Sequence, residues 1–212
     1  MTRPAWRRRL VIFVKEPRPG RVKTRLAAGI GPIPATWWFR HQSARLIRTL
    51  SRDPRWETVI AVSPDEAGLT SRTWPRHLPR WPQGAGDLGD RMGRALRELG
   101  PGPVVIIGAD IPEITPHRIA AAFGALGNAD AVFGPATDGG YWLIGLRNQP
   151  PATLFDGVRW SSATTLSDTV RSLPGKRIAL IDTLRDVDTA EDLAQISQRP
   201  VRAAPVKVAA PE

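Results

Sequence analysis

Short runs of β-branched and aromatic residues alternate along this chain with segments of helical periodicity. That alternation restricts the fold more than any other feature. Residues 9–15 (RLVIFVK), 56–62 (WETVIAV), 103–109 (PVVIIGA) and 177–181 read as strands. Between the first two, residues 34–50 place Trp37, Trp38, His41, Ala44, Leu46, Ile47 and Leu50 on a single helical face. Residues 87–99 read as a helix stopped by Gly100, and residues 115–126 as one capped by Thr115 with Pro116 in its first turn. Residues 162–173 and 189–196 supply two more helices. Near-continuous apolar strands separated by helices are what a parallel sheet covered on both faces requires. Residues 129–133 and 141–146, flanking a turn at 137–140, predict one antiparallel insertion. The expected class is therefore α/β, one domain over residues 9–197 with a mostly parallel, mixed sheet. A basic arm (1–8) precedes it and a proline-containing tail (198–212), expected to be disordered, follows. Residues 63–86, rich in Pro, Gly and Trp, read as a long loop.

Composition removes several chemistries. The 212 residues contain no cysteine, which excludes disulfides, zinc-thiolate sites and thiol catalysis. Three histidines (His41, His77, His117) are too few for a multi-histidine metal centre. No run of about 18 apolar residues is present, so no membrane span is expected. The arginine-rich start leads directly into a strand without an apolar signal segment, and a cytoplasmic protein is expected. The formal charge is +10, and residues 1–25 alone contribute +8 through nine basic residues against Glu16. This is a local anion-attracting patch, which suits a small phosphorylated ligand or, as a weaker reading, nucleic acid.

Four places could carry chemistry. The first is the loop 15–25 (KEPRPGRVKTR), between a strand and a helical stretch. There Arg21, Lys23 and Arg25 can form charge-assisted hydrogen bonds to a phosphate. It is not a P-loop, because no glycine directly precedes Lys23. The second, Gly84-Ala85-Gly86-Asp87-Leu88-Gly89, matches G-x-G-x-x-G literally. The dinucleotide fingerprint must follow a strand, however, and Pro79, Trp81 and Pro82 come first; a loop with Asp87 capping the next helix is preferred. The third is Asp110, at the carboxyl end of an apolar strand, where open α/β sheets collect ligands. A carboxylate facing phosphates there suits Mg²⁺ or Mn²⁺, though a turn Asp before Pro112 fits as well. The fourth is Asp186 and Asp188, two apart and hence on one side of an extended segment, able to complete such a site. Alternatively Asp188 or Thr189 caps the following helix. Asp138-Gly139 is also a favoured hairpin turn, and Trp160 fits a loop contact beside a helix N-cap.

In order along the chain, residues 13–26 (FVKEPRPGRVKTRL), 83–92 (QGAGDLGDRM), 108–112 (GADIP), 134–146 (GPATDGGYWLIGL), 160–161 (WS) and 186–189 (DVDT) resemble the radical-SAM/selenodomain-associated transferase family. That family is similar to the GT-A glycosyltransferases, and its relatives include the molybdenum-cofactor and phospholactate guanylyltransferases. The resemblance implies a single Rossmann-like GT-A domain. It implies that the stretch Lys15, Pro19, Gly20, Arg21, Lys23, Thr24 and Arg25 holds nucleotide phosphates. Gln83, Gly84, Gly86 and Asp87 would lie by the base and ribose. Asp138, Gly139, Gly140, Tyr141 and Trp160 would line the acceptor side, with Lys23, Asp110 and Asp138 as the catalytic set. Asp110 would match the metal carboxylate, with Gly108 where a first Asp of D-x-D would stand, and Asp188, or else Asp186, the second ligand.

The implied activity is metal-dependent transfer from a nucleoside triphosphate or nucleotide-diphosphate sugar to a small acceptor, with Mg²⁺ or Mn²⁺ neutralising the leaving diphosphate. Nucleotidyl and glycosyl transfer both fit, with Asp138 as the base in the latter. A non-catalytic nucleotide-binding protein and a basic nucleic-acid-binding domain are the alternatives. No helix-turn-helix, RNP or zinc signature supports the last. The sequence carries no signal of oligomeric state.

Overall fold

The computed structural model describes residues 6–197. The tail at 198–212 and the first five residues of the basic arm lie outside them. The strand β1 (Arg9–Lys15) is flanked by two parallel partners, β2 (Glu57–Ser63) and β4 (Val104–Ile107), with Ile12 opposite both Ile60 and Ile107. Its side chains alternate between two cores, as period-2 geometry demands. Leu10, Ile12 and Val14 enter one and Val11 the other. On the first face lie α2 (Pro32–Leu50), through Leu46, Ile47 and Leu50, and α5 (Pro116–Ala125), through Ile119, Ala122 and Phe123. On the second lies α4 (Leu88–Glu98), through Met92, Ala95 and Leu96, with Leu166 and Val170 of α6 (Thr165–Arg171).

The sheet has seven strands in the order β3-β2-β1-β4-β6-β5-β7. Only β6 (Tyr141–Leu146) runs against its neighbours, β4 and β5 (Ala131–Pro135), while β7 (Ile178–Leu180) is parallel to β5. The expected α/β class with one antiparallel insertion is what the structure has. The order reverses beside β1, between β2 and β4, which opens a crevice at the carboxyl ends of these strands. A further helix, α1 (Thr24–Ile30), starts at that edge, and α7 (Ala190–Ser197) packs against it.

Two expectations need correction. Residues 63–86 are not one loop: they contain α3 (Asp65–Thr70) and the three-residue strand β3 (Arg80–Pro82). The inward face of α2 is also rotated from the expected one. It buries Ala35, Phe39, Gln42, Ser43, Leu46, Ile47 and Leu50, while Trp37 is 58% exposed and stacks on His41, also at the surface. The helix begins at Pro32, and the stripe 35–39–42–46–50 keeps the spacing of 3 and 4 that one face needs.

Glycine packing gives a paired test. A Cβ at Gly134 would overlap the Trp142 ring, whose indole nitrogen donates to the Asp182 carbonyl at 2.9 Å. A Cβ at Gly124, on the outer face of α5, meets nothing. Gly134→Ala should lower stability by about 1–3 kcal/mol, whereas Gly124→Ala should raise it by about 0.5–1 kcal/mol. Urea unfolding followed by tryptophan fluorescence measures both.

Candidate active site

At the carboxyl edge of β1 and β4 the chain builds an open cleft of about 580 Å³. After Lys15 the backbone turns through Arg18 and Arg21, with Arg21 N–H donating to the Arg18 carbonyl at 3.0 Å and Gly20 at φ +73°. Lys23 then adopts a left-handed conformation (φ 47°, ψ 50°) and stands as N-cap of α1. Buried Val22 and Leu26 anchor the chain on either side. After β4, Gly108 and Ala109 lead to Asp110. A Cβ at Gly108 would lie 3.0 Å from Asp110 Oδ1, so glycine there leaves the carboxylate room. The third arm follows β7. Leu184 bridges to Ala136, with its N–H on the Pro135 carbonyl at 3.1 Å, and Val187 is buried against Leu26 and Ala35. With Leu184 and Val187 inward, Asp188 lines the cleft, while Asp186 does not line it and meets the cluster only through its charge field.

These arms meet at one point. Lys23 Nζ lies 2.7 Å from Asp110 Oδ2 and 2.7 Å from Asp188 Oδ1, with only 7% of its side chain exposed. Arg25 Nη1 reaches the other Asp188 oxygen at 3.2 Å. Burial opposes the Lys23 charge, but the attraction of Asp110 and then the contacts to Asp188 outweigh it, so its pKa sits above the ordinary lysine value. Asp188 does not cap α7; its carboxylate is taken up by Lys23 and Arg25. Thr189 takes the cap of α7, accepting from Asp192 N–H at 3.2 Å, and Asp192 Oδ2 accepts from the Thr189 and Asp188 N–H groups.

Among the other residues singled out in the sequence, Lys15, Arg21, Thr24, Arg25, Gln83, Gly86 and Asp87 line the same cleft. Gln83 is buried, and its amide NH₂ donates to Val14 O (3.2 Å) and Ala61 O (2.9 Å). Asp87 forms a capping box with Asp90 (2.9 and 3.0 Å), as the capping reading required. Gly84 stands behind the wall, its N–H on the Asp65 carboxylate at 3.1 Å. Pro19 and Gly20 shape the loop without lining the cleft. Asp138 Oδ1 accepts from Gly140 N–H at 2.9 Å in an exposed turn, and Gly139 packs against Ala163. Tyr141 does not face the cleft: its hydroxyl is sealed from solvent and its ring meets Phe133 edge-on at 5.3 Å. Burial raises its pKa. Trp160 lies between Phe155 and the start of α4. The sequence reading passed over Arg91, which lines the cleft from α4 and donates to Gly86 O at 3.1 Å. It also passed over Asp65 and over Arg94, which holds the Gln83 and Ala85 carbonyls. Arg91 sits inside the 83–92 stretch, and its one-turn offset from Asp87 was the available signal.

Charge is unevenly divided around Lys23: Lys15, Arg21 and Arg91 line the cleft from the 15–25 loop and α4, whereas Asp110, Asp138 and Asp188 act together on Asp186. Burial first, then the charge of Asp188, pushes Asp186 up to about 6 against the pull of Lys23. The folded protein thus holds that proton more tightly than the unfolded chain. The resulting stabilisation is complete below about pH 4 and disappears as the pH rises through 6. In chelator-treated protein, the stability of Asp186→Asn relative to the parent should therefore rise by about 1 kcal/mol between about pH 5 and about pH 8, after allowing for solvent screening of this half-exposed group. Urea midpoints across that range measure it, and a flat difference removes Asp186 from the shared field.

Comparison with known proteins agrees with this architecture. A crystal structure from Desulfovibrio desulfuricans G20, provisionally described as a nucleotide-diphospho-sugar transferase, is 30% identical over 92% of this chain and 87% of its own, with a TM-score of 0.80. Molybdopterin-guanine dinucleotide biosynthesis protein A from Archaeoglobus fulgidus shares the fold at 16% identity, over 88% of this chain and 95% of its own, with a TM-score of 0.52. So does Rv0371c from Mycobacterium tuberculosis in complex with manganese, at 14% identity, 91% and 98% coverage and a TM-score of 0.53. No curated protein matches the sequence. Residues 46–162, more than half of the chain, match the DUF2064 family, described as an uncharacterized protein conserved in bacteria. The chain belongs to the DUF2064 family.

Proposed function

We propose that residues 9–197 form one transferase domain that uses a nucleotide-diphosphate sugar or a nucleoside triphosphate, with Mg²⁺ or Mn²⁺, on a small acceptor. The observation that carries this is the meeting of Lys23, Asp110 and Asp188 at the carboxyl edge of the sheet, inside the cleft of about 580 Å³. The donor set fits a hard divalent ion. Two carboxylates already share one cationic point, and among the described residues no third His, Cys, Asp or Glu completes a site. Mg²⁺ characteristically takes one or two carboxylates and fills its remaining positions with phosphate oxygens and water. Asp110 and Asp188 would hold the ion, with Asp186 behind them, and when bound it would neutralise charge on the leaving diphosphate. The manganese in Rv0371c supports that assignment by fold likeness.

The chain's own residues have distinct tasks in this reading. Lys15, Arg21, Lys23 and Arg25 bind phosphate oxygens and stabilise negative charge as the leaving group departs. Gln83, Gly86 and Asp87 form the base and ribose wall. Of the two transfers, glycosyl transfer suits the charge division better. Asp138 and Asp186 would repel a phosphate acceptor but tolerate a neutral hydroxyl. In that reaction the acceptor oxygen bonds to the sugar C1 as the C1–O bond to the diphosphate breaks. The leaving nucleoside diphosphate keeps the electron pair, and Asp138 takes the acceptor proton. Nucleotidyl transfer is the second reading, favoured by the fold shared with the molybdopterin-guanine dinucleotide protein. Nucleic-acid binding is disfavoured, because Arg9 and Lys15 sit at opposite ends of β1, roughly 20 Å apart, and Arg9 is engaged with Leu99 O at 2.8 Å. Among the described residues no helix is long and apolar enough to cross a membrane.

A panel of nucleotide sugars and nucleoside triphosphates with Mn²⁺ tests the reading. The matching ligand, at about a hundred times its Kd, should raise Tm by roughly 5–10 °C. Asp110→Asn should remove the metal-dependent part of the shift. No shift across the panel overturns the proposal. Tight binding without turnover over a wide acceptor panel would instead indicate a non-catalytic nucleotide-binding protein.

A further inference from the structure

Lys23 has two roles that cannot be filled at once. Its ammonium sits between Asp110 and Asp188, 2.7 Å from each, at the point where a divalent ion would meet both carboxylates. It also lines the cleft that is to hold the nucleotide phosphates. We propose that Lys23 is the resident cation of the two-carboxylate site and keeps divalent metal out until nucleotide phosphates draw its ammonium away, so that metal and nucleotide enter together. The inference rests on the reading of Asp110 and Asp188 as metal ligands.

Charge counting supports the exchange. Asp110 and Asp188 face the Lys23 ammonium and the Arg25 guanidinium, so these four groups sum to zero without ligand, and Asp186 beside them adds one negative charge at most. A divalent ion entering alone would leave the four at +2 and bring it against the Lys23 ammonium. A diphosphate entering with the ion restores neutrality and supplies new acceptors for the ammonium. The mechanics agree. The backbone of Lys23 is fixed in its left-handed conformation by the cap of α1, where its carbonyl accepts from Ala27 N–H at 2.8 Å, and by buried Val22 and Leu26. The side chain is a flexible four-carbon stem ending in a rotatable donor. The backbone can therefore stay in place while the ammonium moves from carboxylate to phosphate. Arg25 cannot substitute for it, since its side chain is 74% exposed and touches only the outer Asp188 oxygen. Lys23 is in this sense a positioning residue: it offsets the repulsion between two carboxylates that apolar packing brings together.

The test is Mn²⁺ titration read by the electron paramagnetic resonance signal of the free ion, on the full chain, with and without saturating nucleoside diphosphate from a panel of UDP, GDP, CDP and ADP. The parent should bind Mn²⁺ alone at least about tenfold more weakly than with the matching diphosphate. Lys23→Met should bind Mn²⁺ alone at least about tenfold more tightly than the parent and should gain Tm on Mn²⁺ addition without nucleotide. Lys23→Gly, which suits the left-handed backbone, provides the same test if the methionine variant folds poorly. Adding Asp110→Asn to either variant should abolish the gained site. If the parent binds Mn²⁺ alone as tightly as the Lys23 variants, the exclusion proposal is overturned while the metal assignment stands. If none of them binds Mn²⁺ with or without nucleotide, the metal assignment itself falls.

Discussion

The pairing of one buried ammonium with two carboxylates is the constraint around which the carboxyl edge of this protein is arranged. Lys23, Asp110 and Asp188 come from three separate arms of the chain, and each arm is fixed by apolar packing rather than by the ion pairs. Val22 and Leu26 fix the first, the buried strand β4 with Ala109 and Ile111 fixes the second, and Leu184 with Val187 fixes the third. This division of labour follows from the energetics of buried charge. Desolvating a lysine and two aspartates costs more than one attraction returns. The cluster persists because burial elsewhere holds the three arms in position, and each carboxylate keeps about a third of its surface in water. A scaffold fixed by apolar contacts can then tolerate a change of cation at its centre.

The architecture was legible because strand chemistry and helix periodicity are local signals. Arg9–Lys15 can hardly be anything but a buried strand, and an aspartate ending the strand that pairs with it lands at the ligand edge of any open α/β sheet. What failed was equally local. Residues 65–70 (DEAGLT) offer no apolar face; their helix forms because Gly68 lets the backbone press against Val62, a contact invisible in sequence. Strand β3 is three residues long and ends in proline, and it survives at the sheet edge where a missing donor is harmless. Tyr141, which the resemblance puts on the acceptor side, does not line the cleft: its position on β6 turns the ring toward Phe133. Many of the residues that line the cleft lie in the charged and glycine-rich stretches singled out in the sequence. Those that hold them from behind, Arg94 on the Gln83 and Ala85 carbonyls and Asp65 on Gly84, were not legible, because tertiary folding alone puts them there.

The wall opposite the charge cluster shows how the sheet itself prepares a rigid surface. At the carboxyl edge of parallel strands, backbone carbonyls run out of partners as neighbouring strands end. Gln83 meets this need for two strands at once: its amide bridges Val14 of β1 and Ala61 of β2. Both amide protons are then committed to backbone, which fixes the orientation of the side chain at the cleft wall. Arg94 ties down the carbonyls of Gln83 and Ala85, and the capping box at Asp87 fixes the start of α4. This wall is therefore held by hydrogen bonds satisfied within the protein, from the Gln83 amide, the Arg94 guanidinium and the Asp87–Asp90 capping box. The opposite side is held by charges that a ligand can rearrange. The two sides therefore differ in kind: the Gln83 wall is ordered by the fold itself, whereas the cluster of Lys23, Asp110 and Asp188 is held by charges that another ion could redistribute.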